Sequence, residues 1–143
     1  MALFGLFGKK DTGYKTPWLP LTVVYAVAQE GAVPEQAFAL RACVMSAGAV
    51  SFDFSSARAF VAYFPGTDAG LAAGTALCEA LRVVAREKSV PCFGVGIAQG
   101  ECLAQMSSSG RLETKPAGKV VVRAMHSAVA ESGSGTGVET ISA

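Results

Sequence analysis

The stretch Val90-Pro-Cys-Phe-Gly-Val-Gly-Ile-Ala-Gln-Gly-Glu-Cys-Leu103 decides how this chain folds. It holds one apolar run over residues 92–97 and a second, shorter run over residues 102–104. Short apolar runs bounded by Gly and Pro are typical of strands that are buried on both faces. Because Gly100 can adopt a positive φ without steric cost, we expect a hairpin tip over residues 96–100.

Helical patterns lie on both sides of this stretch. The first runs from Ala69 to Lys88, with an N-cap expected at Thr67 or Asp68. Its apolar spacing predicts a buried face made of Leu71, Ala72, Thr75, Ala76, Ala80, Leu81 and Val84. The second runs from Lys119 to Glu131 and is predicted to bury Val121, Val122, Met125 and Val129. Strands flanked by helices indicate an α/β sandwich.

The remaining elements give the topology. Leu21–Ala28 is predicted to be a buried strand, and a helix is expected from Pro34 to a glycine stop at Gly48. Strand-like runs follow at 49–54 and 57–64, and a last edge strand is predicted at 138–141. The predicted order is therefore β-α-β-β-α-β-β-α-β, an α+β sheet of the ferredoxin-like kind with antiparallel central strands and helices packed on it. We expect an N-terminal segment and linker over residues 1–20 and one domain over 21–143.

Composition excludes several classes of protein. The 143 residues are 51% hydrophobic, with mean hydropathy +0.40 and a net charge of +1, so we expect a filled core and no nucleic-acid partner. No apolar run approaches the roughly 20 residues of a membrane span. The four cysteines form no C-x-x-C pair and there is one histidine, which argues against a zinc site. We interpret the cysteines as reduced, buried side chains of a cytoplasmic protein.

Residues 1–10 are apolar and then basic, the reverse order of a secretory signal. A frayed or docked terminus is the favoured interpretation. The alternative is a weak membrane contact, with Phe4, Leu6 and Phe7 among lipid headgroups beside the two lysines at positions 9 and 10. Two glycines in the first eight residues weaken the helix that a membrane contact would need.

Five pieces of the chain occur in a recognisable order. They are Val23-Val-Tyr-Ala-Val27, Ala57-Arg-Ala-Phe-Val-Ala-Tyr-Phe64, the alanine-rich helix over 69–85, Gly96-Ile-Ala-Gln-Gly-Glu101, and the segment from Arg111 to His126. Together they resemble the catalytic domain of class III adenylate and guanylate cyclases over residues 21–131. The corresponding family patterns are an F-A-D-like strand end, G-D-x-F-x-x-x-F, an alanine-rich helix, G-I-x-x-G-E and R-x-x-x-x-x-x-G-D-x-V-N-x-A-A-R.

The departures from that resemblance carry the functional expectation. Val27 and Arg58 stand where the family holds two metal-binding aspartates, and Lys119 stands where it holds a base-reading aspartate. Val122 and His126 stand where it holds its transition-state Asn and Arg. Valine offers no ligand and a guanidinium repels a cation. Two-metal phosphoryl transfer would therefore lack its metal ligands, its orienting amide and its charge-stabilising group.

We therefore expect no enzyme activity, no metal and no cofactor, and a regulatory or protein-interaction module in signalling. The family's interface-located active sites imply a homodimer, or a heterodimer with another signalling protein. One alternative is a metal-independent nucleotide or anion sensor that uses Arg58, Lys115, Lys119 and His126. A second alternative is an active cyclase with non-standard metal ligands, for which Asp53 is the nearest substitute carboxylate.

Overall fold

The computed structural model describes residues 18–54 and 58–133. The elements are β1 (Trp18–Ala28), α1 (Pro34–Met45), β2 (Ser51–Asp53), β3 (Ala59–Pro65), α2 (Asp68–Glu87), β4 (Phe93–Leu103) and α3 (Lys119–Gly133). The first strand begins three residues before the predicted start, so residues 18–20 lie in the sheet. The last predicted strand, at 138–141, and the N-terminal segment over residues 1–17 fall outside the described residues.

The four described strands form one sheet in the order β2-β3-β1-β4, and every neighbouring pair is antiparallel. Strand β1 is central, paired with β3 from Leu21 to Val27 and with β4 along its whole length. Such an order is that of a ferredoxin-like sheet, so the predicted α+β fold class is confirmed. The described elements run β-α-β-β-α-β-α, which differs from the predicted order.

The predicted hairpin at residues 96–100 is wrong. Residues 93–103 form one continuous strand, in which Gly96 pairs with Tyr25 and Gly100 pairs with Leu21. Positive φ occurs at other glycines of the described chain but not at these two. Glycine in the interior of a strand commonly marks a close approach by another backbone, which is its role in β4.

Helices α1 and α2 cover one face of the sheet. That face of the sheet presents the large side chains Val24, Phe60, Phe64 and Val95, and the helices contribute Leu40, Val44, Leu77 and Leu81 to the same core. The N-cap of α2 is Thr67, whose hydroxyl accepts a hydrogen bond from the Gly70 amide at 3.1 Å. Burial of the branched and aromatic side chains stabilises this layer through the hydrophobic effect.

Helix α3 covers the opposite face over β4. A Cβ placed on Gly94 would lie 2.2 Å from the Ala128 carbonyl oxygen, and one on Gly96 would lie 2.2 Å from that of Ala124. The helix buries Val120, Ala124, Ala128 and Ser132. The predicted buried face is wrong for Val122 and Val129, which are each 44% exposed, whereas Val121 and Met125 are half-buried. The residues that face Gly94 and Gly96 are small because the helix contacts the strand backbone there.

The buried face of α2 also differs from the prediction. Leu71 is 38% exposed, and the face turned to the sheet consists of Gly70, Gly74, Leu77, Cys78, Leu81 and Ala85. Gly74 lies against Thr22, Val24 and Ile97, where an added Cβ would come within 3.0 to 3.2 Å of their side chains. The close approach of Gly70 and Gly74 to neighbouring residues therefore places this side of α2 against the sheet. Of the large residues Leu71, Leu81 and Val84 that were predicted to be buried, Leu81 is the fully buried one.

None of the four cysteines, all of which lie in the described residues, forms a disulfide. Cys78 and Cys102 are buried as predicted, whereas Cys43 and Cys92 are half-buried. Within residues 18–54 and 58–133, no helix combines the length and the apolar character that crossing a membrane requires.

Candidate functional site

Val27 and Arg58 are neighbours at the carboxyl end of β1. Val27 pairs with Ala59, and the Ala28 amide donates a hydrogen bond of 2.8 Å to the Arg58 carbonyl oxygen. The Arg58 side chain bends back, and its Nη1 donates to the Gln29 carbonyl oxygen at 2.8 Å. The two positions that the resemblance assigns to metal ligands are therefore neighbours along the backbone at this end of the β1–β3 pair.

The chemistry at this corner is apolar and cationic. The Val27 side chain is only 9% exposed and offers no oxygen. The Arg58 guanidinium is exposed and tied to backbone, so it presents positive charge where a divalent cation would need negative charge. Glu30, whose carboxylate is close in sequence to Val27, accepts a hydrogen bond from the Cys92 thiol at 3.6 Å. The corner suits an anion better than a metal.

Lys115 lies elsewhere, beside β2. Its Nζ is 2.8 Å from the Asp53 carboxylate, and the hydrogen bond and charge of Asp53 raise the pKa of Lys115. Beneath the pair, burial and then the Asp53 charge raise the pKa of the Tyr63 hydroxyl. Asp53 therefore neutralises Lys115, and Lys115 competes with any cation that would use Asp53 as a ligand.

Lys119 and His126 both project from α3. Both side chains are exposed, and seven residues of helix separate them by about 10 Å. Lys119 starts the helix next to the bridge between Leu103 and Ala117, at the Trp18 end of β1. No carboxylate is shown to orient His126 among the described contacts, so nothing in its surroundings equips it as a general base.

The four residues of the predicted anion site are not brought into one place. Arg58 lies at the Ala28 end of β1 and Lys119 at the Trp18 end, and an 11-residue strand is about 34 Å long. Lys115 lies between these ends but on the β2 side, whereas α3 lies over β4 at the opposite edge of the sheet. A single small anion cannot contact all four side chains.

A stronger polar contact was not predicted. Arg82 of α2 donates to both oxygens of Glu131 of α3 at 2.8 Å, and also to Glu79 at 2.9 Å. The hydrogen bond to Glu131 raises the pKa of Arg82. The pair crosses the outer edge of β4 and borders a pocket of about 350 Å³ with Arg86 and Cys92. Its partners are 49 residues apart, and local spacing carries no signal for such a pair.

No group of three potential metal ligands (His, Cys, Asp or Glu) occurs in the parts of the chain that the structure describes. Asp53, the carboxylate expected from the sequence to substitute as a metal ligand, lies on β2. It pairs through Val61 with Tyr25, two strands from β1. That arrangement does not bring Asp53 to the place where the resemblance puts the first metal ligand.

Comparison with known proteins gives one clear result. No protein-family profile and no curated protein matches the chain. The solved guanylyl cyclase Cya2 is similar over 79% of this chain and 71% of its own, with a TM-score of 0.50 and 17% identity. A bacterial light-regulated adenylyl cyclase is similar over 85% of this chain but only 41% of its own, with a TM-score of 0.49 and 14% identity.

At such low identity, the likeness to Cya2 concerns the fold alone. It agrees with the antiparallel sheet and the helices on its two faces that are described above. The chain therefore has a class III nucleotidyl-cyclase-like fold.

Proposed function

We propose that this chain is a catalytically inactive cyclase-like domain that acts as a regulatory or protein-interaction module in signalling. The observation that carries the proposal is the corner formed by Val27 and Arg58. These residues are adjacent across the β1–β3 pair, which supports the assignment of both to the metal-ligand positions of the resembled family. Neither side chain can hold a hard divalent cation, which binds oxygen ligands.

The other replaced groups point the same way. Val122 and His126, which stand at the positions of the transition-state Asn and Arg, are both exposed on the outer face of α3. Phosphoryl transfer depends on metals and positioned charge, because the protein contributes little covalent chemistry of its own. A domain lacking these groups keeps the scaffold and loses the means of stabilising the transition state.

An interaction role is supported by apolar side chains exposed on α3. Val122 and Val129 are each 44% exposed, and the exposed His126 lies between them along the helix. Exposed apolar residues that cluster on one face are typical of protein contacts. We propose this face for a homodimer, or for a heterodimer with another signalling protein. The face of β4 beneath α3 is not available for such a contact, because α3 covers it.

Sedimentation measurements test the α3 contact. Val122→Ser with Val129→Ser is expected to lower the association constant of the dimer or complex at least about tenfold, because two apolar contacts are lost. Val83→Ser is the control, since Val83 is 40% exposed on α2. Equal association of both variants and the wild type would count against this face.

A metal-independent nucleotide or anion sensor is the second candidate. It is favoured by the fixed guanidinium of Arg58, which the Gln29 carbonyl holds at the end of β1. Lys115 is less suited to this role because Asp53 neutralises it. The sensor would thus depend on Arg58 rather than on all four predicted residues.

Thermal unfolding with ATP, GTP and their cyclic products, each with and without Mn²⁺, separates these functions. A ligand at 100 times its dissociation constant adds about 2.7 kcal/mol, which raises the melting temperature by several degrees. The interaction module predicts no shift with any of them. A metal-independent shift that Arg58→Ala removes and Arg86→Ala keeps would establish the sensor, and a shift that requires Mn²⁺ would overturn the loss of metal binding.

A further inference from the structure

An apolar groove lies between α1 and α2 on the surface of the domain, with a volume of about 550 Å³. It is lined by Ala39, Ala42, Cys43, Ser46, Ala47, Ala73, Ala76, Leu77, Ala80 and Val84. Because most of these side chains are alanines, the two helices leave space between them that no described residue fills. An apolar groove of this size on a monomer surface marks a site for another apolar group.

The chain enters the domain beside one end of this groove. Helices α1 and α2 are antiparallel, because Glu35 and Gln36 at the start of α1 contact Lys88 just after the end of α2. Because α1 has 12 residues and α2 has 20, α2 extends about 12 Å beyond the end of α1 at its own start. The start of α2 is next to the start of β1, since the Gly66 amide donates to the Pro20 carbonyl oxygen at 3.1 Å.

We propose that residues 3–7, Leu-Phe-Gly-Leu-Phe, dock in the groove between α1 and α2 of their own chain. Four of these five residues are large and apolar. Residues 8–17 join them to Trp18 and span up to about 33 Å, whereas α2 from Asp68 to Val84, the far end of the groove, rises only about 24 Å. The connecting segment is therefore long enough to reach any part of the groove.

Charge at the entry end fits the same occupant. Lys9 and Lys10 follow the apolar residues directly. The last turn of α1 contains no basic residue, so the negative end of its dipole has no cationic side chain of its own. Asp68 is exposed at the start of α2, the part of that helix nearest the start of β1. The two lysines would thus lie near negative charge while the apolar residues fill the groove.

A native cysteine makes the contact measurable. Cys43 lines the groove and is half-buried. If residues 3–7 dock there, Leu6→Cys in the full chain would place a second thiol within reach of it. Tethering gives the two thiols an effective concentration of about a millimolar or more. Because burial raises the pKa of the Cys43 thiol, the oxidation is run at mildly alkaline pH.

The docked segment predicts a disulfide within one chain between the introduced cysteine and Cys43, identified by peptide mapping. Cys92 is the internal control, because it is also half-buried but lies away from the groove. Thr12→Cys is the second control and should link to Cys43 about tenfold less, since it follows the apolar segment. Linkage to Cys92 as often as to Cys43, or no linkage, would overturn the proposal.

A change in the groove completes the test. Ala76→Asp in the Leu6→Cys chain should reduce the linkage about tenfold, because a carboxylate disfavours an apolar occupant. Ala72→Asp is the matched control: Ala72 is exposed on the same helix but does not line the groove. A disulfide that joins two chains would assign the groove to a second copy and contradict docking within the chain, as would equal linkage in the two aspartate variants.

Discussion

The two faces of the sheet are packed in different ways. Under α1 and α2, large side chains such as Leu81 and Phe64 fill the space between helix and sheet. Under α3, the helix lies on Gly94 and Gly96 and contacts the strand through its own backbone. In the first layer, large side chains separate helix from sheet except where Gly70 and Gly74 of α2 approach closely, whereas α3 meets the backbone of β4 directly.

This difference predicts opposite sensitivities. Protein interiors are close-packed, so a site without spare volume resists an added carbon and a site filled by a large side chain resists its removal. Enlargement should therefore be damaging at Gly94 and Gly96 under α3, and truncation should be damaging at Leu81 under α2. The layer that leaves a groove at its outer surface is also the one that can accept another segment.

The largest effect is expected for Gly96→Ala. The new Cβ would lie 2.2 Å from the Ala124 carbonyl oxygen, and backbone cannot move aside as a flexible side chain can. We expect a loss of about 4 kcal/mol in the free energy of unfolding, measured by urea denaturation.

Gly133→Ala is the control for that change, because nothing lies within 4 Å of its added Cβ. It should be neutral or slightly stabilising. Similar losses in both variants would mean that the contact between Gly96 and α3 does not explain the effect.

Leu81→Ala tests the other face. Leu81 is fully buried in the α1–α2 core, so its truncation leaves a cavity and is expected to reduce the free energy of unfolding by about 3 kcal/mol. Leu71→Ala on the same helix should change it by less than about 1 kcal/mol, since Leu71 is 38% exposed. If the two losses were equal, α2 would face the sheet as the sequence predicted.

A pH effect is expected from the same core. Burial raises the pKa of Cys78 from an ordinary value of 9.0 to about 11. Above pH 9 the unfolded chain loses this proton and the folded chain keeps it, so stability falls as pH rises and the fall ends near pH 11. We expect a decrease of about 1–2 kcal/mol over this range, measured by urea denaturation at each pH.

Cys78→Ala removes this titration, so its stability should decline less steeply between pH 9 and 11 than that of the wild type. The comparison uses the slopes, because the variant also loses volume in the core. Parallel curves would show that the Cys78 thiol does not distinguish the folded from the unfolded chain.

The smallest effect concerns the link between the two faces. Arg82 and Glu131 join α2 to α3 across the edge of β4, with side chains that are 35% and 32% exposed. A double-mutant cycle with Arg82→Ala and Glu131→Ala should give a coupling energy of about 1 kcal/mol, because water partly screens the pair. A coupling indistinguishable from zero would mean that the two layers are held by the sheet alone.

The sequence predicted the elements better than their contacts. Local signals such as Thr67 at an N-cap and Pro34 at a helix start were sufficient to place the helices. The hairpin error arose because Gly96 and Gly100 carry the same local signal whether they form a turn or admit a helix. Only the packing of α3 distinguishes these roles.

The helix faces failed for the same reason. Apolar spacing favours the largest residues as the buried ones, yet α3 buries Ala124 and Ala128 and exposes Val122. At the candidate site, the order of motifs assigned Val27 and Arg58 to one site, and the two residues are neighbours along the backbone. The order of motifs gave no indication that Lys115 would form an ion pair with Asp53, because that contact depends on the path of the loop before α3.

The most direct measurement is an assay of cyclic-nucleotide formation from ATP and GTP by the purified chain with Mn²⁺. Without metal ligands at Val27 and Arg58, the chain should form no product above the rate in buffer alone. Product formation that Asp53→Ala abolishes would contradict the account, because it would show that Asp53 serves as a metal ligand.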